Sequence, residues 1–312
     1  MLRNLITKFK ARIFRIPLLK EFVLSFRLKI KKAKIGQDEN RHLRVAILRY
    51  YVEKLKAKMM AIDFKQGILI YQNKEYVLSD GIFLNAQGTN RYFKGTGEYP
   101  GNEGARIYDF LKSRNIVINN MIDLGANFGE ISLYFCHQNP NMKILAVEPS
   151  SENYEILKSN CEFQFFSTKN ITLLKEAVAD ENKTALITKG KGSENNIISD
   201  KGETEPVQAT TLLSIMDRFG FNNVDFLKID IEGAEPLLYN SLKRSIGRIK
   251  SILLEISGQT EDYLPLLRLL WDSGMKCYLR DDNFTEVDSL PNLIKLLDNR
   301  SHALDLFFIK KL

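Results

Sequence analysis

The sequence predicts an α/β fold whose sheet is mostly parallel and whose helices cover both faces. From Ala105 onward, short apolar runs alternate with amphipathic segments of helical length, a pattern typical of strands joined by crossover helices. One apolar run ends in a glycine-containing turn that leads into a helix, as in α/β proteins that bind a ligand at a strand end. A hydrophobic content of 44% is enough for a packed core.

The distribution of charge divides the chain into parts. Its 312 residues carry a net charge of +7. Residues 1–62 contain 17 Lys and Arg against 4 Asp and Glu, whereas residues 63–312 contain 28 against 34. We therefore predict a basic helical N-terminal extension over residues 1–62, a small β-element or lid over 63–104, and the main domain over 105–312.

The N-terminal extension is predicted to be helical. Residues 1–35 read as one or two basic amphipathic helices with a break at Pro17. Residues 41–60 form a further helix with an apolar seam, which consists of Val45, Leu48, Val52, Leu55 and Met59. We expect this seam to pack on the chain's own body, and a homodimer through helix 41–60 is the alternative. Basic extensions of this kind bind anionic membrane surfaces, nucleic acid or acidic proteins.

The remaining elements follow in order along the chain. Ile68–Tyr71 and Tyr76–Val77 read as short strands before a loop over residues 85–97. The strands predicted beyond them are 116–122, 143–147, 171–174, 225–229, 251–256, 276–280 and 303–309. The predicted helices are 129–137, 152–163, 236–242 and 261–271. The last two strands lack a recognisable crossover helix, which favours an antiparallel last strand. The polar residues 181–205 read as an insertion over the site.

Cysteine usage and the placement of charged residues argue against several classes of protein. No two of the three cysteines, Cys136, Cys161 and Cys277, form a C-x-x-C pair. This argues against a disulfide framework and against a zinc site. It also suits a reducing compartment. Charged residues interrupt the apolar parts of residues 11–30, so neither a secretory signal nor a membrane span is predicted. We expect a cytoplasmic protein that also contacts the membrane surface peripherally.

The most informative stretch is Asp123-Leu-Gly-Ala-Asn-Phe-Gly129, where an apolar strand ends in a turn. Glycine allows the backbone to approach a ligand without a Cβ in the way. The spacing G-x-x-x-G differs from the dinucleotide fingerprint and from the phosphate loop of nucleoside triphosphatases. The turn therefore predicts a cofactor that is neither NAD nor a nucleoside triphosphate.

Glu148 ends the second strand of the main domain, 25 positions after Asp123. An acidic side chain there is placed to accept hydrogen bonds from the ribose hydroxyls of an adenosine. The alternative is a charge at the N-terminus of helix 152–163. Glu176 and Ala177 follow the third strand, where an adenine pocket is expected.

Carboxylates cluster after the predicted strand 225–229. Asp230, Glu232 and Glu235 surround Gly233, and such groups are costly at a strand end unless they are paired, bind a metal or act in chemistry. They offer a general base and, through Asp230 and Glu232, oxygen ligands for a divalent cation. The alternative is that they stabilise the N-terminus of helix 236–242. Glu255 either enters the same crevice or pairs with Lys228.

These motifs, in this order and spacing, resemble the FkbM-type S-adenosylmethionine-dependent methyltransferases over residues 105–312. The motifs that carry the resemblance are Asp123-Leu-Gly-Ala-Asn-Phe-Gly129, Glu148-Pro149, Glu176-Ala-Val-Ala-Asp180, Thr211-Leu212, Leu227-Lys-Ile-Asp-Ile-Glu-Gly-Ala-Glu235 and Leu254-Glu-Ile256. Residues 1–104 match no family that we recognise. The resemblance implies a Rossmann-like class I methyltransferase sheet with an antiparallel last strand.

The resemblance also implies site roles, with S-adenosyl-L-methionine as cofactor. Asp123, Gly125, Asn127 and Gly129 surround its methionine part, and Glu148 holds its ribose. Asp230 and Glu232 face the transferred methyl group and the acceptor, and would be the ligands of a divalent metal. Glu255 is a further catalytic candidate, from its place at a strand end and not from the resemblance.

The family typically methylates hydroxyls of sugars and natural products, so the expected acceptor is a sugar in a glycan, glycolipid or polysaccharide precursor. We expect residues 1–60 to contact anionic membrane. The alternatives are an RNA methyltransferase that grips phosphates with its basic arm, which we favour less, and a non-catalytic binding module.

Overall fold

The computed structural model describes residues 59–63, 68–71, 74–79, 82–85, 103–164, 166–188 and 203–310. The chain separates into two compact units, residues 1–72 and 73–312. The helices predicted over residues 1–35 lie outside the described residues, as do the helix predicted over 41–60 up to residue 58 and the loop predicted after Asn85. The division of the chain at residues 62 and 104 stays a prediction.

The first unit contains an antiparallel strand pair, β1 (Met59–Asp63) and β2 (Ile68–Tyr71). Met59 and Met60 therefore belong to a strand and not to the helix predicted over 41–60, because pairing with β2 takes precedence over the helical spacing of the apolar residues. The second unit begins with a hairpin of β3 (Lys74–Ser79) and β4 (Ile82–Asn85), which contains the strand predicted at residues 76–77.

The main sheet has eight strands. They are β5 (Asn120–Leu124), β6 (Lys143–Val147), β7 (Ile171–Leu174), β11 (Phe226–Ile229), β12 (Ser251–Ile256), β13 (Met275–Leu279), β14 (Glu286–Val287) and β15 (Leu304–Lys310). Their order is β14-β13-β15-β12-β11-β5-β6-β7. Strands β7, β6, β5, β11 and β12 pair in parallel, whereas β15 is antiparallel to both β12 and β13. The predicted mostly parallel sheet with an antiparallel last strand is confirmed.

Part of the predicted insertion belongs to a second, three-stranded sheet. Its strands are β8 (Ala177–Ala179), β9 (Lys183–Thr188) and β10 (Thr204–Thr211). Strand β10 pairs in parallel with β8 and antiparallel with β9. The ends of the predicted insertion 181–205 are thus strands, and its middle, residues 189–202, lies outside the described residues.

Helices cover both faces of the main sheet. The first face carries α1 (Glu103–Ser113), α2 (Glu130–Gln138) and α3 (Ser151–Glu162). The second carries α4 (Leu212–Arg218), α5 (Tyr239–Ser245), α6 (Thr260–Asp272) and α7 (Leu290–Asp298). Successive strand residues point to opposite faces. Phe226 therefore packs in the first core and Leu227 in the second, so the central strand β11 is buried on both sides.

Two further predicted elements differ clearly from the observed ones, and three helices were not predicted. The strand predicted over 116–122 is β5, which begins at Asn120; Ile116 and Ile118 reach the core from a connecting segment in which Val117 is 70% exposed. The helix predicted over 236–242 starts as a 3₁₀ turn (Glu235–Leu238) that contains a proline, and becomes α-helical only at Tyr239. The sequence analysis did not predict helices α1, α4 and α7, the last of which precedes β15.

Asp225 joins three chain segments at the amino edge of the sheet. Its side chain is buried, accepts the N–H groups of Asn119 and Asn120 at 2.9 Å each, and lies 2.5 Å from Lys250 Nζ. We expect Asp225→Asn to lower the free energy of unfolding by about 1–3 kcal/mol, because a buried acceptor loses its charge. Urea denaturation measures the change.

The matched control is Asp217→Asn, which removes a carboxylate that is 61% exposed and pairs with Arg248 at 2.7 Å. An exposed ion pair contributes roughly 0–1 kcal/mol. Equal losses in the two variants would contradict the structural role given to Asp225.

Candidate active site

The turn between β5 and α2 contains three residues in the left-handed region. The φ angle is 73° at Gly125, 51° at Asn127 and 88° at Gly129. The N–H groups of Gly125 and Ala126 both donate to the carbonyl oxygen of Val147 at 3.0 Å. A Cβ at position 125 would lie 1.7 Å from the carbonyl oxygen of Asp230. Glycine is therefore required at 125 both by its φ angle and by the close crossing of two loops.

Glu148 lies at the end of β6 and is 4% exposed. Its two carboxyl oxygens accept hydrogen bonds from the backbone N–H of Asn127 at 2.8 Å and of Ser150 at 3.0 Å. Burial raises the pKa of Glu148 to about 7, although these hydrogen bonds favour the ionised form. The side chain thereby fixes the position of the glycine turn relative to β6.

Lys228 is a buried lysine on β11, directly beside Asp123 in the register of the sheet. Its Nζ lies 3.4 Å from Asp123 Oδ1 and 3.0 Å from Asp230 Oδ2, and it donates to the carbonyl oxygen of Gly125 at 3.0 Å. Burial works against the charged form, but the charges of Asp230 and Asp123 outweigh it and raise the pKa of Lys228. Ser132 Oγ donates to the other oxygen of Asp123 at 2.7 Å.

The loop after β11 separates the carboxylates that the sequence grouped. Asp230 and Glu232 line the cleft described below, and Glu232 has a φ of 57°. Glu235 is instead fully buried: it accepts the N–H of Ile231 at 2.8 Å and the hydroxyl of Tyr263 at 2.7 Å. Burial raises the pKa of Glu235. Glu235 therefore supports the loop after β11, which is neither the chemical role nor the stabilisation of the N-terminus of helix 236–242 that the sequence analysis considered.

Glu255 lies on β12, next to the end of β11. Its Oε2 is buried and has no hydrogen-bond partner among the described residues. Burial first, and then the negative charges of Asp230, Glu232 and Asp305, raise its pKa to about 9. The alternative pairing with Lys228 is not the one observed, since Lys228 pairs with Asp123 and Asp230.

Glu176 and Ala177 lie where β7 leads into β8. Arg218 donates to both oxygens of Glu176, at 2.9 and 2.8 Å, and Thr210 Oγ1 donates at 2.6 Å. Burial works against ionisation, but these bonds outweigh it and lower the pKa of Glu176. The carboxylate is therefore held in place by the protein itself.

These elements surround a cleft at the carboxyl edge of the sheet. The cleft brings together most of the predicted site residues, namely Asp123, Gly125, Asn127, Glu148, Glu176, Ala177, Asp230 and Glu232. Gly129 and Glu255 do not line the cleft. Gly129 is the N-cap residue of α2, and Glu255 lies on β12 beside the cleft.

Charged residues of the cleft that sequence reasoning missed include Glu103, Glu130 and Lys228. Glu103, at the start of α1, lines the cleft and pairs with Arg280 at 2.9 Å; no local motif marks it. Lys228 was considered only as a partner of Glu255, although a lone lysine inside a buried strand signals a paired charge. Among the described residues, no group of three or more His, Cys, Asp or Glu side chains is arranged to hold a metal ion. The predicted metal therefore gains no support from them.

The strand order and the site define the class of protein. Two parallel halves meet at β5 and β11, the cleft lies at their carboxyl ends, and β15 inserts antiparallel between β12 and β13. This is the class I methyltransferase fold. In the described part of the chain, no helix is long and apolar enough to span a membrane.

The family follows from the sequence. Residues 123–277 match the methyltransferase FkbM domain, so the chain carries an FkbM methyltransferase domain and the resemblance stated above is confirmed. No curated protein matches the chain significantly.

Solved structures with this fold are distant in sequence. The methyltransferase FkbM from Methylobacillus flagellatus KT is 17% identical, with a TM-score of 0.41, over 61% of this chain and 43% of that one. An S-adenosylmethionine-dependent methyltransferase from Agrobacterium tumefaciens is 12% identical, with a TM-score of 0.45, over 76% and 70%. The chain thus spans less than half of the Methylobacillus protein. The strand order described above, and not these likenesses, defines the fold.

Gly125→Ala should destabilise the protein strongly, because both the φ angle and the Asp230 carbonyl oppose a Cβ. Two controls separate these causes: Gly274 has a φ of 77° but open space, and Gly247 has open space without a positive φ. We expect losses of about 1–2 kcal/mol for Gly274→Ala and of at least about 3 kcal/mol for Gly125→Ala. Gly247→Ala should be nearly neutral. Urea denaturation ranks the three, and equal losses at 125 and 274 would refute the close crossing.

Glu148 should make stability depend on pH. Its pKa is about 7 in the fold and 4.5 unperturbed. Above pH 4.5 the unfolded chain ionises first, so the contribution of Glu148 falls as the pH rises and is lost beyond pH 7. Relative to Glu148→Gln, the wild type should lose about 2–3 kcal/mol of unfolding free energy between pH 5 and 8.

Denaturation at both pH values tests this expectation. Glu162→Gln, at the exposed end of α3, is the control and should follow the wild type. A parallel pH dependence of wild type and Glu148→Gln would show that Glu148 is ionised throughout.

Proposed function

We propose that the cleft binds S-adenosyl-L-methionine and that the protein is an O-methyltransferase acting on a sugar hydroxyl. The acceptor would belong to a glycan, glycolipid or polysaccharide precursor. One observation carries this proposal: the glycine turn, Glu148 and the two carboxylates Asp230 and Glu232 line a single cleft in an FkbM methyltransferase domain.

The residues of the cleft suit the cofactor. Asp123 is 1% exposed, and its Oδ1 has no hydrogen-bond partner among the described residues. It is therefore available to the amino group of the methionine part, beside the backbone that Gly125 leaves open. Each carboxylate oxygen of Glu148 accepts one backbone N–H and has capacity for a ribose hydroxyl. Ala177 and Val178, both buried, supply apolar surface for the adenine.

The acceptor side is provided by Asp230 and Glu232. When bound, S-adenosylmethionine supplies a methyl group already activated by its sulfonium. The remaining task of the protein is to align a hydroxyl and to receive its proton. Asp230 is the best base, because its side chain is 27% exposed at the cleft and Lys228 orients it at 3.0 Å. Glu232, two residues further on, is placed to orient the acceptor.

Oxygen is favoured over an exocyclic nitrogen as the acceptor atom. Amino-directed nucleic-acid methyltransferases often carry an Asn/Asp-Pro-Pro-aromatic motif after the fourth strand. The corresponding segment here is Asp230-Ile-Glu-Gly233, and the chain contains no Pro-Pro pair. Contact of the basic residues 1–60 with anionic membranes would bring the enzyme to lipid-linked glycans.

Asp230→Asn should abolish methyl transfer while it largely preserves cofactor binding, because the amide keeps the shape of the side chain but cannot accept the proton. Glu148→Ala should instead weaken cofactor affinity by about 10-fold or more, as a buried hydrogen-bonding partner is lost. Calorimetry with S-adenosylmethionine measures binding. Mass spectrometry of surface glycans, in cells that lack the gene and carry each variant, detects the lost methyl increment.

Two outcomes would contradict the assignment. Full glycan methylation with Asp230→Asn would give the role of base to another group. Unchanged glycans in cells without the gene would exclude a glycan acceptor.

A further inference from the structure

Ionisable side chains form a row along the carboxyl edge of the sheet. The register of β11 and β12 ends at Ile229 and Leu254, so the next residues along each chain segment are Asp230 and Glu255, and Glu255 lies opposite Asp305 on β15. Arg280 comes next, since its N–H donates to the carbonyl oxygen of Asp305 at 2.9 Å. The two-residue period of strands directs these side chains to the same face of the sheet, the face that α1 and α2 cover.

Negative groups outnumber positive ones around the cleft. Among the described residues that line it, seven carry a carboxyl group and only Lys228 carries a positive charge. The carboxyl groups belong to Glu103, Asp123, Glu130, Glu148, Glu176, Asp230 and Glu232. Two further cations lie just outside, and each is already paired: Arg218 with Glu176, and Arg280 with Glu103 and Asp305.

Two carboxyl groups, Glu255 beside the cleft and Asp123 within it, reflect this excess of negative charge. After burial, the charges of Asp230, Glu232 and Asp305 are what raise the pKa of Glu255 to about 9. Asp123 is the most buried acid of the cleft, and its Oδ1 lacks a hydrogen bond within the described structure, with Lys228 Nζ 3.4 Å away. A buried acceptor directed into the cleft calls for a donor on the ligand.

We propose that the acidic cleft selects its cofactor by charge, and that it binds S-adenosylmethionine more tightly than S-adenosylhomocysteine. This inference rests on the proposed function. S-adenosylmethionine carries a sulfonium, an ammonium and a carboxylate, whereas the demethylated product has lost the sulfonium charge and is neutral overall. In a cleft with excess negative charge, the neutral product binds more weakly, so fresh cofactor displaces it.

Calorimetry on the full chain tests the proposal with three compounds. They are S-adenosylmethionine, S-adenosylhomocysteine and sinefungin. Sinefungin is an unreactive analogue in which a carbon that bears an ammonium group replaces the methylsulfonium. At low salt we expect the two cationic compounds to bind about 10-fold more tightly than the neutral one. Raising the salt should reduce this ratio, because mobile ions screen the partly exposed carboxylates.

Variants identify the source of the selectivity. Glu232→Gln removes one carboxylate charge from the cleft, and it should lower the ratio of the two affinities about fivefold while sparing the neutral product. Glu162→Gln makes the same chemical change at the exposed end of α3 and should leave the ratio unaltered.

The outcomes separate the two proposals. Binding of all three compounds with S-adenosylhomocysteine equal or tighter overturns charge selection and leaves the proposed function in place. A ratio that Glu232→Gln does not change also overturns it. If none of the three compounds binds, the proposed function itself is wrong.

Discussion

The ammonium group of Lys228 is the charge on which the site depends. It is buried on a central strand, where it contacts Asp123, Asp230 and the carbonyl of Gly125. Burial opposes a charged lysine, and the two carboxylates are the main groups that make it favourable. Removal of one partner of such a group leaves an uncompensated buried charge, which typically costs about 3–5 kcal/mol. The turn after β5 and the loop after β11 are therefore bound to one cation, and neither can move without the other.

Hydrogen bonds also connect neighbouring loops and strands along the carboxyl edge of the sheet. The N–H of Asp230 donates to the carbonyl of Leu124, and the N–H of Glu148 donates to that of Leu174. Glu235 connects the loop after β11 to Tyr263 on α6. Asp230 and Glu148 are thus attached to backbone that a neighbouring strand holds, and these two carboxylates are in position before any ligand arrives. Preorganisation of this kind is the main way in which proteins stabilise developing charge.

The sequence predicted what depends on local signals. Strands β6, β7 and β12 have the predicted bounds, since each is a short apolar run between turn residues. The glycine turn and Glu148 can be recognised from their spacing along the sequence. Glu103 and Arg280 cannot, because they pair across 177 positions and only the topology brings them together. Helix α7 was missed for another reason: it is nine residues long, although the capping hydroxyl of Ser289 and the proline in its first turn were available signals.

The place of β15 in the sheet constrains how the chain reaches this structure. Strand β15 is the last of the main sheet along the chain, yet it lies between β12 and β13, which precede it. Until it arrives, β12 and β13 expose open edges that can pair with another chain. Folding therefore cannot proceed strand by strand as synthesis advances, and the sheet becomes continuous only when β15 inserts. A nascent chain that stalls before Leu304 would expose two such edges and be prone to aggregate.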